Sequence, residues 1–165
     1  MVKVVIINSS PIITLSKIGK LELLHKLFGD VMITEQVYHE VMSKPTYPEA
    51  IAIKKAVEGD KWLKVQKAQE INKTLGLGES SSLGLASKLK QILIIDDRKA
   101  VFVASTIGVE CHGTLYVILL ALKRGIIKNK QEAVEIVNQL IGNKLYLISE
   151  ALSEFYSLLN KIKNL

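Results

Sequence analysis

The sequence predicts an α/β fold, with a parallel sheet that carries helices on both of its faces. Short apolar runs alternate with amphipathic segments along the chain, as they do where crossover helices join parallel strands. The run at residues 92–95 is β-branched at three of its four positions, which is typical of a strand buried on both faces. At 165 residues the chain has the size of one domain, so we expect a single domain over residues 1–165.

Five apolar runs are the predicted strands, and we expect the third to lie at an edge of the sheet. In chain order they cover residues 2–7, 31–33, 62–65, 92–95 and 109–112. The polar segment at residues 66–74 fits neither a strand nor a helix pattern.

Helices are predicted from apolar residues at helical spacing, and their ends from prolines, glycines and capping residues. Pro11 suits a first helical turn, Gly19 and Gly29 end the first two helices, and Gly78 precedes the fifth. The predicted N-caps are Ser10, Thr34, Thr114 and Ser149. The helices are expected at residues 11–18, 20–28, 35–42, 48–57, 79–90, 98–107, 115–124, 130–141 and 150–162.

Charge and composition restrict the classes of partner. The net charge of +6 favours polyanions, but the basic residues are spread along the chain, and the aromatic content of 5% argues against a base-stacking platform of the single-strand-binding kind. No apolar run approaches the ~20 residues that span a bilayer, and the N-terminus lacks a signal-peptide pattern, so we expect a cytoplasmic protein without a membrane partner. The single cysteine, Cys111, is expected to be a small buried residue and not a nucleophile.

Acidic and amide side chains follow the predicted strands at their carboxyl ends. Asp96 and Asp97 come directly after the strand at residues 92–95, and Asn8 follows the first strand. Glu40 lies on the helix after the second strand, and Glu79 lies in the first turn of the helix that leads into the fourth. In open α/β sheets this edge holds the ligand-binding crevice, so we expect these side chains to face one site.

Carboxylates that converge require a cation, a proton or separation. Two unit charges about 4 Å apart repel by roughly 4 kcal/mol at an effective dielectric constant near 20. The oxygen-only donor set indicates Mg²⁺ or Mn²⁺ rather than zinc, because His25, His39 and His112 show no ligand spacing with one another or with Cys111.

Five short motifs follow one another along the chain. They are Asn8-Ser9-Ser10-Pro11-Ile12-Ile13, Val37-Tyr38-His39-Glu40-Val41, Leu75-Gly76-Leu77-Gly78-Glu79, Leu93-Ile94-Ile95-Asp96-Asp97-Arg98-Lys99-Ala100 and His112-Gly113-Thr114-Leu115. In this order they resemble the PIN-domain family, and more closely a prokaryotic branch of PIN-like proteins. The resemblance covers nearly the whole chain.

The resemblance implies a three-layer α/β/α fold with strand order 3-2-1-4-5 and a site where strands 1 and 4 lie side by side. Glu40, Glu79 and Asp97 would be the catalytic acids that hold Mg²⁺ or Mn²⁺, with Asp96 beside them. Asp97 matches the last acid of the family better than Asp96, because Arg98 follows it. Asn8 stands where the family usually has its first Asp, and its uncharged oxygen should weaken affinity for a cation.

The expected function is therefore a metal-dependent endoribonuclease, in a family rich in toxins of toxin–antitoxin pairs. RNA, a small antitoxin protein and a second copy of the chain are the implied partners. Ser10 would lie near the metal and the substrate, while Arg98 would contact either phosphate or a neighbouring Asp.

Two other functions are also compatible with the sequence. Asn8 suggests a catalytically weakened PIN scaffold that binds nucleic acid or a protein partner. A phospho-acceptor receiver domain also clusters acids at strand ends, but it places its acid pair after the first strand, where this chain has Asn8.

Overall fold

In a computed structural model, which describes residues 4–163, the chain forms a five-stranded parallel sheet between two layers of helices. The strands are β1 (Val5–Ile7), β2 (Val31–Thr34), β3 (Leu63–Gln66), β4 (Ile92–Ile94) and β5 (Cys111–His112). The helices are α1 (Ser9–Lys17), α2 (Glu22–Phe28), α3 (Glu35–Met42), α4 (Pro48–Lys54), α5 (Leu77–Leu89), α6 (Arg98–Thr106), α7 (Thr114–Lys123), α8 (Lys130–Gly142) and α9 (Ser149–Lys161). A π-helical turn, Lys55–Gly59, extends α4.

The strand order is β3-β2-β1-β4-β5, which confirms the predicted fold class and puts β3 at an edge. In the register, Ile7 lies opposite Ile94 and Leu93 lies opposite Cys111. The first two residues of the predicted 2–7 strand lie outside the described residues. Among the described helices, none is both long and apolar enough to cross a bilayer.

Alternate residues of the strands face two separate apolar cores, as period-2 side-chain alternation requires. Val5 and Ile7 of β1 pack into the larger core, which also contains residues of α1 to α4 and α7 to α9. Ile6, between them, packs into the smaller core with Leu83 of α5 and Ala100 of α6. The sheet therefore has helices on both faces.

Several helices begin at residues other than those predicted. The N-cap of α1 is Asn8, so Ser10 is not its cap, and Pro11 lies third in the helix, where its missing N–H is still not needed. Helix α5 begins at Leu77 and not at Glu79; the side chain of Leu77 is exposed, so apolar periodicity gave no signal for the first turn. Ser149 is the first residue of α9, not its cap.

The Thr34 prediction is confirmed, whereas the Thr114 prediction is wrong. Thr34 Oγ1 accepts a hydrogen bond from the N–H of Val37 and caps α3. Thr114 is the first residue of α7 and Gly113 holds the N-cap position, while the Thr114 hydroxyl donates to Asp96.

Candidate functional site

Asn8 lies at the carboxyl end of β1, with its side chain 1% exposed. Its backbone N–H donates to the carbonyl of Ile94 at 3.0 Å, which continues the pairing of β1 with β4 by one residue. Asn8 is the N-cap residue of α1, yet its side chain makes no capping hydrogen bond. The carboxamide is therefore not used to cap α1, although it lies at this edge of the sheet.

Glu40 and Asn8 meet across Gly78. A Cβ built on Gly78 would lie 3.0 Å from Glu40 Oε2 and 3.4 Å from Asn8 Oδ1, and Val37 Cγ2 would be 3.5 Å away. Val37 and Glu40 are three residues apart on α3, so both side chains face α5. We call this group of Asn8, Glu40 and Gly78 the candidate cation site. A side chain at residue 78 would crowd both oxygens, so the glycine keeps the space between them open.

Buried serines of α5 hold this helix against the ends of β1 and β2. Ser81 Oγ and Thr34 Oγ1 share a hydrogen bond of 2.8 Å, and Ser82 Oγ lies 3.5 Å from Asn8 Oδ1 as a donor. All three hydroxyl-bearing residues are fully buried. Neither Ser82 nor Gly78 is among the site residues predicted from the sequence. The run of three serines at 80–82, polar inside a helix that packs on the sheet, was the available signal.

Glu79 turns back over the start of its own helix. Its Oε2 lies where a Cβ on Gly76 would be, so the carboxylate covers the N-terminal turn of α5. A carboxylate at a helix N-terminus is stabilised by the helix dipole.

Asp96 is bound to the start of α7. Its Oδ1 accepts from the Thr114 N–H at 2.8 Å and its Oδ2 from Thr114 Oγ1 at 2.6 Å. Burial raises the pKa of Asp96 above its ordinary value, although the two hydrogen bonds from Thr114 lower it. The carboxyl group thereby joins the end of β4 to the end of β5.

Asp97 is exposed and caps α6, where its Oδ1 accepts from the Ala100 N–H at 2.8 Å. Ser10 and Arg98 are also exposed. Arg98 faces the start of α9: the pKa of Glu150 lies below its usual value because of hydrogen bonds from its own N–H and from Ser149, and also because of the Arg98 charge. Arg98 therefore has an acidic neighbour in Glu150, and its contact with phosphate or a neighbouring Asp stays a prediction.

The candidate cation site suits a hard cation, because the atoms that could bind the ion are a carboxylate oxygen and an amide oxygen. Over residues 4–163, no group of three His, Cys, Asp or Glu side chains is placed to hold one ion. Glu40, Glu79 and Asp97 do not form such a group: Asp97 caps α6, and the Glu79 carboxylate lies beside Gly76 at the start of α5. Two oxygen atoms that could bind a cation, Glu40 Oε2 and Asn8 Oδ1, lie on the side of Gly78 where a Cβ would stand.

Comparisons with known proteins agree with this architecture. A family model described as DUF3368, a PIN domain, matches residues 4–161. A solved structure of a PilT N-terminus domain protein, SSO1118, from the hyperthermophilic archaeon Sulfolobus solfataricus P2 superimposes with a TM-score of 0.52 at 18% identity. The superposition covers 68% of this chain and 88% of that one, and at this identity it shows the shared fold. None of the curated proteins compared with the chain matches it. Since the family model spans nearly the whole sequence, the chain belongs to the PIN-domain family.

Proposed function

We propose that the chain is a cytoplasmic, metal-dependent endoribonuclease that hydrolyses phosphodiester bonds of single-stranded RNA. PIN domains are generally nucleases and generally use divalent cations. The observation that carries the proposal for this chain is the approach of Glu40 Oε2 and Asn8 Oδ1 to the same point beside Gly78, at the edge of the sheet where β1 and β4 are neighbours.

Glu40 and Asn8 would hold Mg²⁺ or Mn²⁺, with Glu79, Asp96 and Asp97 along the same edge of the sheet. When bound, such a cation lowers the pKa of a water molecule and stabilises the negative charge that develops on the phosphate. Asn8 contributes an oxygen without a charge, so the site holds a cation less tightly than one with an Asp at this position.

The protein's own residues then orient the reactants. The exposed carboxylates of Glu40 and Asp97 are available to orient or deprotonate the water that attacks phosphorus, while the P–O bond to the leaving oxygen breaks and that oxygen takes up a proton. Ser10 and Arg98, both exposed, are available to contact phosphate. The net charge of +6 attracts RNA without regard to its sequence, with an affinity that falls as salt rises.

The test is cleavage of single-stranded RNA with Mg²⁺ or Mn²⁺, compared with the same reaction in EDTA. We expect Glu40→Gln and Asp97→Asn to abolish cleavage. Asp97→Asn also retains the α6 cap, because Asn caps helices as well as Asp does. Glu135→Gln, an exposed glutamate of α8, is the matched control and should cleave normally. Cleavage that persists in EDTA would refute the proposal.

A catalytically weakened scaffold that binds nucleic acid or a protein is the second candidate. Asn8 favours it, as does the absence of a three-acid group among residues 4–163. Asn8→Asp separates the two functions: it should create cleavage in an inert wild type if the scaffold is correct, and only increase existing cleavage if the nuclease is correct.

The toxin role, the antitoxin and the homodimer belong to the same proposal. Expression of the chain should arrest growth, and co-expression of a small neighbouring gene should relieve the arrest. Light scattering should give twice the mass of one chain. Harmless expression of a chain that cleaves RNA in vitro would remove the toxin role and leave the nuclease.

A further inference from the structure

A cavity of about 420 Å³ opens between α7 and α9, beside the carboxyl ends of β4 and β5. Its volume falls in the ~300–1,000 Å³ range of small-ligand sites. We name it the α7–α9 pocket; the residues that line it include Asp96, His112, Tyr116, Leu119, Glu154 and Leu158. The candidate cation site does not use this pocket, since Asn8, Glu40 and Gly78 are not among its lining residues.

An aromatic pair forms one wall of the α7–α9 pocket. The rings of His112 and Tyr116 stack with centroids 3.9 Å apart and planes 16° apart. His112 Nε2 is 2.8 Å from Glu110 Oε1, so its imidazole is already oriented. Single-stranded RNA is recognised where unstacked bases stack on His or Tyr rings and bond through their Watson–Crick edges. The low aromatic content of the chain excludes a long stacking platform, but one such pair is enough for one base.

Two carboxylates are among the polar groups that line the pocket. Glu154 is exposed at its rim, and Asp96 lies at the end nearest β4, where both of its oxygens already accept from Thr114. Burial and the nearby Glu110 charge raise the pKa of Cys111, another lining residue, to about 11, so the thiol is neutral at pH 7. A ligand suited to this pocket is a flat ring that presents N–H donors and carries no negative charge of its own.

The pocket lies close to the candidate cation site. Asn8 follows β1, His112 ends β5, and only β4 separates the two strands. Neighbouring strands are about 4.8 Å apart, so the ends of β1 and β5 are separated by about 10 Å. An RNA strand with a phosphate at Asn8 and Glu40 would reach the pocket by passing over the end of β4.

We infer that the α7–α9 pocket binds a guanine base of the RNA next to the phosphate at the candidate cation site, with Glu154 accepting from the Watson–Crick edge of that base. Guanine offers two adjacent donors, N1–H and the 2-amino group, to one carboxylate. Adenine and cytosine offer one amino group, and uracil offers only an imino N–H between two carbonyl oxygens. The inference rests on the proposed nuclease function, because the base belongs to that substrate.

The test is an NMR titration of the full chain with the four ribonucleosides in EDTA, so that neither a cation nor cleavage enters the measurement. We expect guanosine to shift the amide signals of His112, Tyr116 and Glu154, and to bind about fivefold or more tightly than uridine. In Glu154→Gln the ratio of the guanosine and uridine affinities should fall to about one. Tyr116→Leu should weaken the binding of all four nucleosides. Glu135→Gln should change neither.

The outcomes separate this inference from the proposed function. Equal binding of guanosine and uridine, or shifts confined to other surfaces, would overturn the guanine pocket even if the chain cleaves RNA. Guanosine selectivity that disappears in Glu154→Gln would support the pocket even if cleavage is never observed. Since Tyr116 is partly buried, a thermal unfolding curve for Tyr116→Leu shows whether the variant is folded, and Glu154→Gln on the exposed rim tests the pocket independently.

Discussion

Because Gly78 has no side chain, nothing at this position crowds Glu40 or Asn8. We expect Gly78→Ala to weaken Mn²⁺ binding and RNA cleavage by about tenfold or more, because its Cβ would lie 3.0 Å from Glu40 Oε2 and force that carboxylate to move. The free energy of unfolding should stay within about 1 kcal/mol of wild type, since alanine favours a helix over glycine by about 0.5–1 kcal/mol. Isothermal titration with Mn²⁺ and a urea unfolding curve measure the two effects.

Gly142→Ala is the matched control for Gly78→Ala. Gly142 ends α8, and a Cβ there would meet nothing within 4 Å. This variant should bind Mn²⁺ and cleave RNA like wild type. If the two alanine variants bind Mn²⁺ and cleave RNA equally well, Gly78 is not part of the cation site.

Cys111 allows a test of burial through its titration. Its pKa of about 11 predicts that carboxamidomethylation by iodoacetamide reaches half its maximal rate near pH 11 in the folded chain. The same thiol in the urea-unfolded chain should reach that point near pH ~8.5. Because the thiolate is disfavoured only in the folded state, the contribution of this thiol to stability is unchanged below the unfolded pKa and falls as pH rises toward 11. A folded midpoint below pH 9 would show that the thiol is solvated.

The loop between β3 and α5 is held in place by hydrogen bonds at several points. Ser80 Oγ accepts from the N–H groups of Ile71 and Asn72, both at 2.9 Å. Gln36 Nε2 donates to the carbonyl of Ala68, and Lys99 Nζ donates to that of Thr74. Residues 66–74 fit no helix or strand pattern in the sequence, because the contacts that order them come from distant parts of the chain.

Ser80→Ala should loosen this loop. The variant loses one buried acceptor for two backbone N–H groups, which should lower the free energy of unfolding by about 1–2 kcal/mol. Amide hydrogen exchange at Ile71 and Asn72 should become about tenfold faster. Ser105→Ala is the control, because Ser105 bonds only to the Phe102 carbonyl in its own helix. Unchanged exchange at Ile71 and Asn72 would show that Ser80 does not order the loop.

Helix ends show which local signals are sufficient. Thr34 caps α3 as predicted, since its hydroxyl has a local partner in the Val37 N–H. Thr114 does not cap α7, because the helix begins at Thr114 itself and Gly113 holds the N-cap position; the Thr114 hydroxyl donates to Asp96, 18 residues earlier in the chain. The sequence shows that both residues are good caps but not at which residue each helix begins.

For the whole molecule, the strand pattern and the family motifs were sufficient to predict the sheet. A buried apolar run that alternates with helices, such as the one at residues 92–95, is best explained as a strand of a parallel sheet. The strand order 3-2-1-4-5 followed from the resemblance to the PIN-domain family. The strand ends place Asn8 beside β4, as predicted. The close approach of Glu40 to Asn8 depends on Gly78, and the orientations of Glu79 and Asp97 depend on their own helix N-termini. Strand and helix periodicity contain no information on these orientations.

The most direct test of the central claim is paramagnetic broadening of backbone amide signals by substoichiometric Mn²⁺. We predict that the signals of Asn8, Glu40 and Gly78 are lost first, that excess Mg²⁺ restores them, and that Glu40→Gln abolishes the effect. Broadening that begins elsewhere on the molecule, or that is the same in Glu40→Gln, would contradict a cation site at the junction of β1, α3 and α5.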